Sequence, residues 1–199
     1  MPSISVCMPA YNEEPNLPGM IADVVSVMRA RGGEFEIVVT NDGSKDRTGA
    51  VLQELAQIYP ELRPVDHPVN RGYGAAVFTA ITNARKDLVF FTDSDRQFKL
   101  EELDRLLPLI ASADMVVGYR APRRDPPVRV LFGKGWSTLV TILFGYTARD
   151  IDCAFKLFRR EVIEKVGPQI KSRGATFSAE FLVRTKRAGF RIKEVPVSH

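Results

Sequence analysis

Cysteine, histidine and long apolar runs are all scarce in this 199-residue chain. Its two cysteines, Cys7 and Cys153, lie beside apolar residues and show neither a CxxC pair nor zinc-site spacing, which predicts buried free thiols in a reducing compartment. Its two histidines, His67 and His199, have no neighbours that suggest a metal site. No apolar run approaches the roughly 20 residues that span a bilayer, and the N-terminus lacks the charged-then-apolar order of a signal peptide. Disulfide-stapled, zinc-binding and membrane-spanning proteins are therefore disfavoured.

The remaining composition is that of a globular domain. Hydrophobic residues make up 45% of the chain and charged residues 26%, which suits one domain with a sizeable core. The formal net charge is +4. A mild basic excess is compatible with phosphate-bearing ligands or an anionic membrane surface, and equally with an ordinary solvated surface.

Apolar patterning alternates between the periods of strands and helices along the whole chain. Strands are predicted at residues 4–8, 35–40, 63–67, 88–91, 115–117 and 192–197, with a strand or hairpin at 150–159. Helices are predicted around residues 17–28, 51–58, 75–85, 100–110, 128–146, 160–166 and 177–185. Such alternation indicates βαβ units, and therefore one α/β domain with a Rossmann-like, mostly parallel central sheet and helices on both faces.

The stretch at residues 88–98, LVFFTDSDRQF, combines a buried strand with clustered carboxylates. Its apolar start reads as a strand buried on both faces. Asp93 and Asp95 follow at the strand end, where two carboxylates are costly unless a cation neutralises them. Together with Gln97 they predict a Mg²⁺ or Mn²⁺ site, since these ions prefer oxygen ligands. The alternative is a capped loop in which the carboxylates bind backbone N–H groups.

Three predicted loops stand at the carboxyl ends of parallel strands, at residues 9–13, 41–44 and 93–97. In a doubly wound sheet such loops line one crevice. We expect Tyr11 to stack on a nucleotide base there and Asp42 to accept hydrogen bonds from base or ribose. Turn aspartates and loop tyrosines are usually structural, which is the alternative for each residue alone.

Seven short motifs occur in a fixed order over nearly the whole chain. They are PAYNE at residues 9–13, NDGSKDRT at 41–48, NRGYG at 70–74, DSDRQ at 93–97, GYR at 118–120, DCAFK at 152–156 and EVPV at 194–197. In this order they resemble glycosyltransferase family 2, and within it the dolichol-phosphate mannosyltransferase-like, polyprenyl-phosphate glycosyltransferases. The resemblance implies the GT-A fold and places residues 1–199 in one catalytic domain.

The resemblance also implies a set of site residues. It implies a nucleotide-diphospho-sugar donor whose base and ribose are held by Pro9, Tyr11, Glu13 and Asp42, with Asp93, Ser94 and Arg120 completing the donor site. It implies a Mg²⁺ or Mn²⁺ site at Asp93, Asp95 and Gln97. The chain departs from the family pattern at Asn41, where an acidic residue is usual, and at Ser94, where Ala is frequent. The family pattern continues past the EVPV motif with basic residues that close over the donor phosphates, and many relatives carry C-terminal transmembrane helices. We expect either that the domain is cut short or that this lid lies outside residues 1–199.

The activity implied is inverting, metal-dependent transfer of a sugar from GDP-mannose or a UDP-hexose to a polyprenyl or dolichyl phosphate. Arg120 is expected to stabilise charge on the leaving diphosphate. Asp152 is expected to position the acceptor or act as a base, the alternative being a salt bridge to Lys156 or Arg149. The competing functions are transfer to a soluble or polysaccharide acceptor and a non-catalytic nucleotide-binding module. A dehydrogenase is disfavoured because Val77 replaces the third glycine of a dinucleotide fingerprint.

Basic residues flank the apolar stretch at 136–146. The segment at 121–129 contains two adjacent prolines, Arg123 and Arg124, and is predicted to be a mobile loop that orders around substrate phosphates. Arg129 and Lys134 are expected to hold the acceptor phosphate. A basic patch beside Trp and Phe fits the interface of an anionic membrane and predicts a peripheral protein at its cytoplasmic face. The family resemblance implies a role in cell-wall or glycolipid biosynthesis. The alternative is a core helix beside a solvated basic loop.

Overall fold

A seven-stranded sheet carries the fold, in the spatial order β3-β2-β1-β4-β6-β5-β7. The structure is a computed structural model that describes residues 1–121 and 127–198, and for residues 127–134 it describes the backbone alone. The strands are β1 (Ile4–Ala10), β2 (Phe35–Asp42), β3 (Leu62–His67), β4 (Leu88–Thr92), β5 (Met115–Arg120), β6 (Phe155–Arg159) and β7 (Ile192–Val197). Their central members are buried throughout, as expected of a sheet covered on both faces.

All neighbouring strands pair in parallel except at β6, which runs antiparallel to both β4 and β5. The predicted mostly parallel α/β sheet is therefore confirmed. Strand β1 lies between β2 and β4, so the carboxyl ends of these three strands open on the same edge of the sheet. That edge is where ligands bind in open α/β sheets.

The helices form two groups. They are α1 (Leu17–Arg31), α2 (Thr48–Ile58), α3 (Tyr73–Thr82), α4 (Leu103–Leu106), α5 (Pro127–Phe144), α6 (Arg160–Val166) and α7 (Phe177–Arg187). Helix α1 contacts α2, whereas α3 packs on β1 and β2 and reaches α6, which in turn contacts α7. Apolar side chains at helical spacing face the sheet from both groups, for example Leu17, Ile21 and Val24 of α1.

Two predicted elements differ from the structure. The helix expected around residues 100–110 is a single α-helical turn flanked by 3₁₀ turns at Leu100–Glu102 and Leu107–Ala111. Pro108 lies in the second 3₁₀ turn and has no backbone N–H to continue the α-helix. The strand expected at 150–159 begins only at Phe155, and Asp152 lies in the preceding turn, where the Cys153 N–H donates to the Asp150 carbonyl at 3.2 Å.

A close backbone contact joins the loop after β2 to the loop after β3. Gly43 has a φ of 63°, and a Cβ placed on it would lie 2.4 Å from the Asn70 nitrogen. Only glycine accommodates both the left-handed conformation and this approach. The contact sets the loop that precedes α3 directly against the end of β2, at the ligand-binding edge of the sheet.

Candidate active site

A cleft of about 350 Å³ lies at the carboxyl ends of β1, β2 and β4. Its lining combines the three predicted loops with the start of α3: Pro9, Ala10, Tyr11, Glu13, Asp42, Asn70, Gly72, Tyr73, Ala76, Asp93, Ser94 and Asp95. Seven of the residues expected to bind donor or metal are thus brought together, over more than 80 positions of sequence. The adjacency of β2, β1 and β4 in the sheet is the cause.

The β1 end of the cleft is fastened to the neighbouring loops. The buried Ser94 hydroxyl donates to the Pro9 carbonyl at 2.9 Å, which ties the carboxylate loop after β4 to β1. The Glu13 backbone N–H donates to the Thr48 hydroxyl at 2.8 Å, and its carboxylate accepts from the Asn16 amide at 2.7 Å. Tyr11 remains 40% exposed, so its ring is available to a planar ligand.

Asp42 is held more tightly than a free binding residue would be. Its side chain is almost completely buried, yet its carboxylate accepts from the Arg71 N–H at 2.9 Å and from the Gly72 N–H at 2.8 Å. The Nδ1 atom of His67 lies 2.6 Å from the same carboxylate. These donors offset the burial of the charge. Asp42 therefore lines the cleft and also holds the neighbouring Arg71–Gly72 backbone in place.

Asp93 and Asp95 form the acidic end of the cleft. The Tyr73 hydroxyl donates to Oδ1 of Asp93 at 2.9 Å, and the Gln97 N–H donates to Oδ1 of Asp95 at 3.1 Å. Burial raises the pKa of Asp93 to about 6, and the charge of Asp95 adds to the rise, against the opposing hydrogen bond from Tyr73. The negative charges of Asp93 and Asp95 therefore repel each other, and both side chains are partly buried.

The rest of the 93–97 loop faces away from the cleft. Gln97 is exposed, and its side chain is not among those that line the cleft. Arg96 adopts a left-handed φ of 61° and reaches α1, where its Nε donates to Asp23 at 3.0 Å. The loop is therefore anchored on both sides, by Ser94 on β1 and by Arg96 on α1.

Arg120 lies at the end of β5 in a bidentate ion pair. Its Nε and Nη2 atoms donate to the Asp150 carboxylate at 2.8 and 2.9 Å, and both side chains are largely buried. Such fork-on-fork geometry fixes the guanidinium plane. Arg120 also helps to lower the pKa of Asp93, so its charge reaches the acidic end of the cleft.

Asp152 is an exposed residue in the turn between α5 and β6. Its charge helps to raise the pKa of the Tyr73 hydroxyl, after burial and the charge of Asp93, which places it within electrostatic reach of the cleft. The turn is held by Lys156, a residue that is 1% exposed and whose ammonium donates to the carbonyls of Ile151, at 3.1 Å, and Cys153. Burial lowers the pKa of Lys156, opposed chiefly by Cys153, Asp150 and Asp152.

Several predicted residues lie outside what the structure describes. Arg123 and Arg124 fall in residues 122–126, and the side chains of Arg129 and Lys134 belong to the part of α5 for which only the backbone is described. The predicted loop at 121–129 is thus described only in part, and its last three residues begin α5.

Sequence analysis missed three contributors to this site: His67, Tyr73 and Lys156. Tyr73 and Lys156 stood inside the motifs NRGYG and DCAFK, which was the available signal. No local signal marked His67, because its role depends on Asp42, a residue 25 positions away in sequence.

The donor set at the acidic end fits a hard divalent cation. Within residues 1–121 and 127–198, no group of three or more His, Cys, Asp or Glu side chains is arranged to hold a metal. Two carboxylates are nevertheless the usual protein share of a Mg²⁺ site that is completed by substrate phosphates. Burial, and after it the charge of Asp95, raises the pKa of Asp93, and a bound cation would offset both effects.

Comparison with known proteins gives a consistent result. The sequence model described as "Glycosyl transferase family 2" matches residues 5–167. Over 98% of its length the chain is 33% identical to a dolichyl-phosphate beta-glucosyltransferase, ALG5A, of Trichomonas vaginalis, and it spans 64% of that relative. It is 32% identical over 97% of its length to polyprenol monophosphomannose synthase of Mycolicibacterium smegmatis, of which it spans 76%.

The fold has solved counterparts. Mannosyltransferase PcManGT of Pyrobaculum calidifontis, solved in complex with GDP-Man and Mn²⁺, superposes with a TM-score of 0.70 at 19% identity. The match covers 100% of this chain and 56% of that one. At this level of identity the likeness establishes the fold alone, and it agrees with the seven-stranded sheet described above.

Proposed function

The chain belongs to glycosyltransferase family 2, and on that premise we propose that it is an inverting, metal-dependent enzyme that moves a hexose from a nucleotide-diphospho-sugar to a polyprenyl or dolichyl phosphate. The observation that carries the proposal is the cleft, in which the Asp93 and Asp95 carboxylates lie beside the loops after β1 and β2. A nucleoside diphosphate requires both parts: polar groups and an aromatic surface for the nucleoside, and a cation site for the phosphates.

The donor would lie along the cleft with its base at Tyr11 and its diphosphate at the carboxylates. Tyr11 offers an exposed ring for stacking, and Pro9, Glu13 and Asp42 surround the base and ribose. Ser94 contributes through its hydrogen bond to Pro9, which fixes the two loops relative to each other. The names of the relatives include both glucose and mannose transfer, which supports a UDP-hexose or GDP-mannose as donor.

Asp93 and Asp95 would hold Mg²⁺ or Mn²⁺, with Gln97 as a further oxygen donor from the same loop. When bound, the cation supplies Lewis-acid stabilisation of the leaving diphosphate. The chain's own contribution is to hold both carboxylates in place: Tyr73 orients Asp93, and the Gln97 N–H orients Asp95. The PcManGT structure contains Mn²⁺ with its donor, which supports a divalent cation in this fold.

Transfer is a single displacement. An oxygen of the acceptor phosphate forms a bond to the anomeric carbon as the bond from that carbon to the diphosphate breaks, which inverts the configuration. The acceptor is already anionic near neutral pH, so little general-base assistance is needed. Arg120, held by Asp150, supplies positive charge at the carboxyl end of β5, and Asp152 positions the acceptor from its turn.

An exposed apolar ridge on α5 supports a lipid acceptor. Val140 of this helix is buried, whereas Leu139, Ile142, Leu143 and Phe144 are exposed, with Ile142 reaching 75%. Soluble surfaces rarely group large apolar side chains in this way, and such patches mark protein or membrane contacts.

Two basic residues of α7 border the ridge. The Arg187 guanidinium lies 5.4 Å from the centroid of the Phe144 ring, and the Lys186 ammonium donates to the Tyr146 carbonyl. Apolar side chains beside cations fit the interface of an anionic membrane. In the part of the chain that the structure describes, no helix is both long enough and apolar enough to cross a bilayer. On the basis of the ridge and its basic neighbours, we propose a peripheral location at the cytoplasmic face, with Arg129 and Lys134 near the acceptor phosphate.

The test is a donor and acceptor panel. UDP-glucose, UDP-N-acetylglucosamine and GDP-mannose are each supplied with Mn²⁺ or Mg²⁺, and transfer is assayed to a polyprenyl phosphate and to soluble glycans. Metal-dependent formation of a polyprenyl-phosphate sugar is the expected result. Transfer to soluble glycans alone would replace the acceptor, and metal-independent nucleotide binding without transfer or hydrolysis would indicate a non-catalytic module.

A further inference from the structure

A buried histidine supports the wall of the cleft from behind. His67 ends β3 and is 6% exposed. Its Nδ1 atom lies 2.6 Å from Oδ1 of Asp42, and its Nε2 atom lies 2.9 Å from the Thr79 hydroxyl on α3. An ionised carboxylate only accepts hydrogen bonds, so in this contact the Nδ1–H group of His67 donates and Asp42 accepts. His67 thus joins β2, β3 and α3 at one point.

The Asp42 carboxylate passes this restraint on to the loop that precedes α3. Oδ1 accepts from the Arg71 N–H as well as from His67, and Oδ2 accepts from the Gly72 N–H at 2.8 Å. Gly72 has a φ of 93°, a conformation that glycine adopts without steric cost but that does not by itself fix the loop. The position of the Asn70–Gly72 backbone therefore depends on the orientation of the Asp42 carboxylate.

The same loop leads directly to the acidic end of the cleft. Tyr73 follows Gly72 and donates its hydroxyl proton to Asp93 at 2.9 Å. The hydrogen bonds run from Thr79 through His67 and Asp42 to the loop, and from Tyr73 to Asp93. A displacement at His67 would therefore reach both the nucleoside end and the phosphate end of the site.

We propose that His67 is a positioning residue for the donor, acting through Asp42 to hold the Asn70–Tyr73 wall in its binding conformation. This inference rests on the proposed function, because it assigns His67 to the recognition of a nucleoside diphosphate. His67 does not line the cleft, so it would act on the donor only through Asp42. Its loss should weaken donor binding while leaving the chemical step largely intact.

Isosteric variants separate the two sides of the imidazole. In His67→Asn the side-chain amide can take the place of Nδ1 and still donate to Asp42. In His67→Gln the amide reaches the place of Nε2 and retains the Thr79 contact, leaving Asp42 without this donor. A hydrogen bond to a charged group contributes about 1.5–3 kcal/mol, so His67→Gln should weaken binding of UDP or GDP about tenfold or more. His67→Asn should stay within about threefold of the unchanged protein, and Thr79→Val is the matched control for the other side of the ring.

Three measurements on the full chain test whether His67 positions the donor. Calorimetry gives the affinity for UDP and GDP with Mn²⁺, steady-state kinetics gives the split between donor KM and kcat, and amide NMR of the ligand-free protein reports the Arg71 and Gly72 N–H groups. We expect His67→Gln to raise the donor KM with a small change in kcat and to shift both amide resonances, with rescue by His67→Asn. Equal loss of thermal stability in both variants, with unchanged affinity and KM, would overturn the proposal. If the unchanged protein bound neither nucleotide, the proposed function would fail, and unshifted Arg71 and Gly72 resonances in His67→Gln would separately reject the positioning role.

Discussion

Tyr73 and Asp93 form a hydrogen bond of 2.9 Å that joins the start of α3 to the end of β4. It connects the nucleoside wall of the cleft to the carboxylates that would hold the cation. Burial raises the pKa of Asp93, and the Tyr73 hydroxyl is the first influence that opposes the rise. The hydroxyl therefore favours the charged form of Asp93, which is the form that binds a cation.

Tyr73→Phe should shift the pH dependence of metal-assisted binding. Removing the hydroxyl raises the pKa of Asp93 above its present value of about 6, so the carboxylate would stay protonated to a higher pH. We expect the acid limb of Mn²⁺-dependent UDP or GDP binding to move to higher pH, with affinity well above that limb nearly unchanged. Tyr59→Phe, at the end of α2, is the control. An unmoved limb in Tyr73→Phe would show that the hydrogen bond does not set the charge of Asp93.

Asp93→Asn should stabilise the metal-free protein at neutral pH. The pKa of Asp93 is about 6 in the folded protein, against an ordinary value of 3.8. Between pH 3.8 and pH 6, Asp93 is therefore protonated in the folded chain and ionised in the unfolded chain. The carboxylate's contribution to folding is therefore most favourable below pH 3.8 and is lost as the pH rises through 6. Asparagine removes the charge and keeps an acceptor for Tyr73, so the gain above pH 6 should be roughly 1–3 kcal/mol.

Thermal unfolding across the pH range checks this expectation. The difference in Tm between Asp93→Asn and the unchanged protein should be largest above pH 6 and should shrink toward pH 4. A Tm that falls at neutral pH would mean that the charged carboxylate is well compensated in the fold. A stabilising change that also removes catalysis is the usual mark of a functional group.

Asp95→Ala should abolish Mn²⁺-dependent binding of nucleotide-sugars. The variant leaves only the Asp93 carboxylate at the strand end, whereas the proposed cation site uses both Asp93 and Asp95. Affinities for UDP-glucose and GDP-mannose are measured by calorimetry with Mn²⁺ and with EDTA. Glu164→Gln, which removes a surface carboxylate paired with Arg160, is the control and should behave as the unchanged protein. Retention of the Mn²⁺-dependent affinity in Asp95→Ala would remove this residue from the metal site.

The ridge on α5 should control attachment to lipid. Ile142→Asp combined with Leu143→Asp places charge on side chains that are 75% and 61% exposed, so stability should change by less than about 0.5 kcal/mol. Co-sedimentation with vesicles containing phosphatidylglycerol should fall severalfold, and the KM for polyprenyl phosphate should rise. Thr138→Asp, at another exposed position of α5, is the control for added charge. Unchanged sedimentation and KM would assign the ridge to another contact.

Much of the fold could be read from the sequence. Residues 88–91 are apolar without interruption, which marks a strand buried on both faces, and the carboxylates that follow it could be placed at the edge of a parallel sheet. The order of strands and helices was equally accessible, because each side chain's burial repeats with the period of its own element. Where local chemistry intervened, as with Pro108, the period alone was a poor guide.

The partners of individual side chains were decided by the tertiary structure. Asp42 pairs with His67 across 25 positions of sequence, Tyr73 with Asp93 across 20, and Arg120 with Asp150 across 30. The spacing of apolar residues predicts that a residue is buried. It does not predict which distant group that residue contacts. The sequence by itself determined the sheet, its edge and the carboxylates there, since these follow from local burial patterns. Only the packing of β2, β3 and α3 against one another decided that Asp42 supports the cleft wall, because a buried carboxylate must take whichever donors the fold brings within reach.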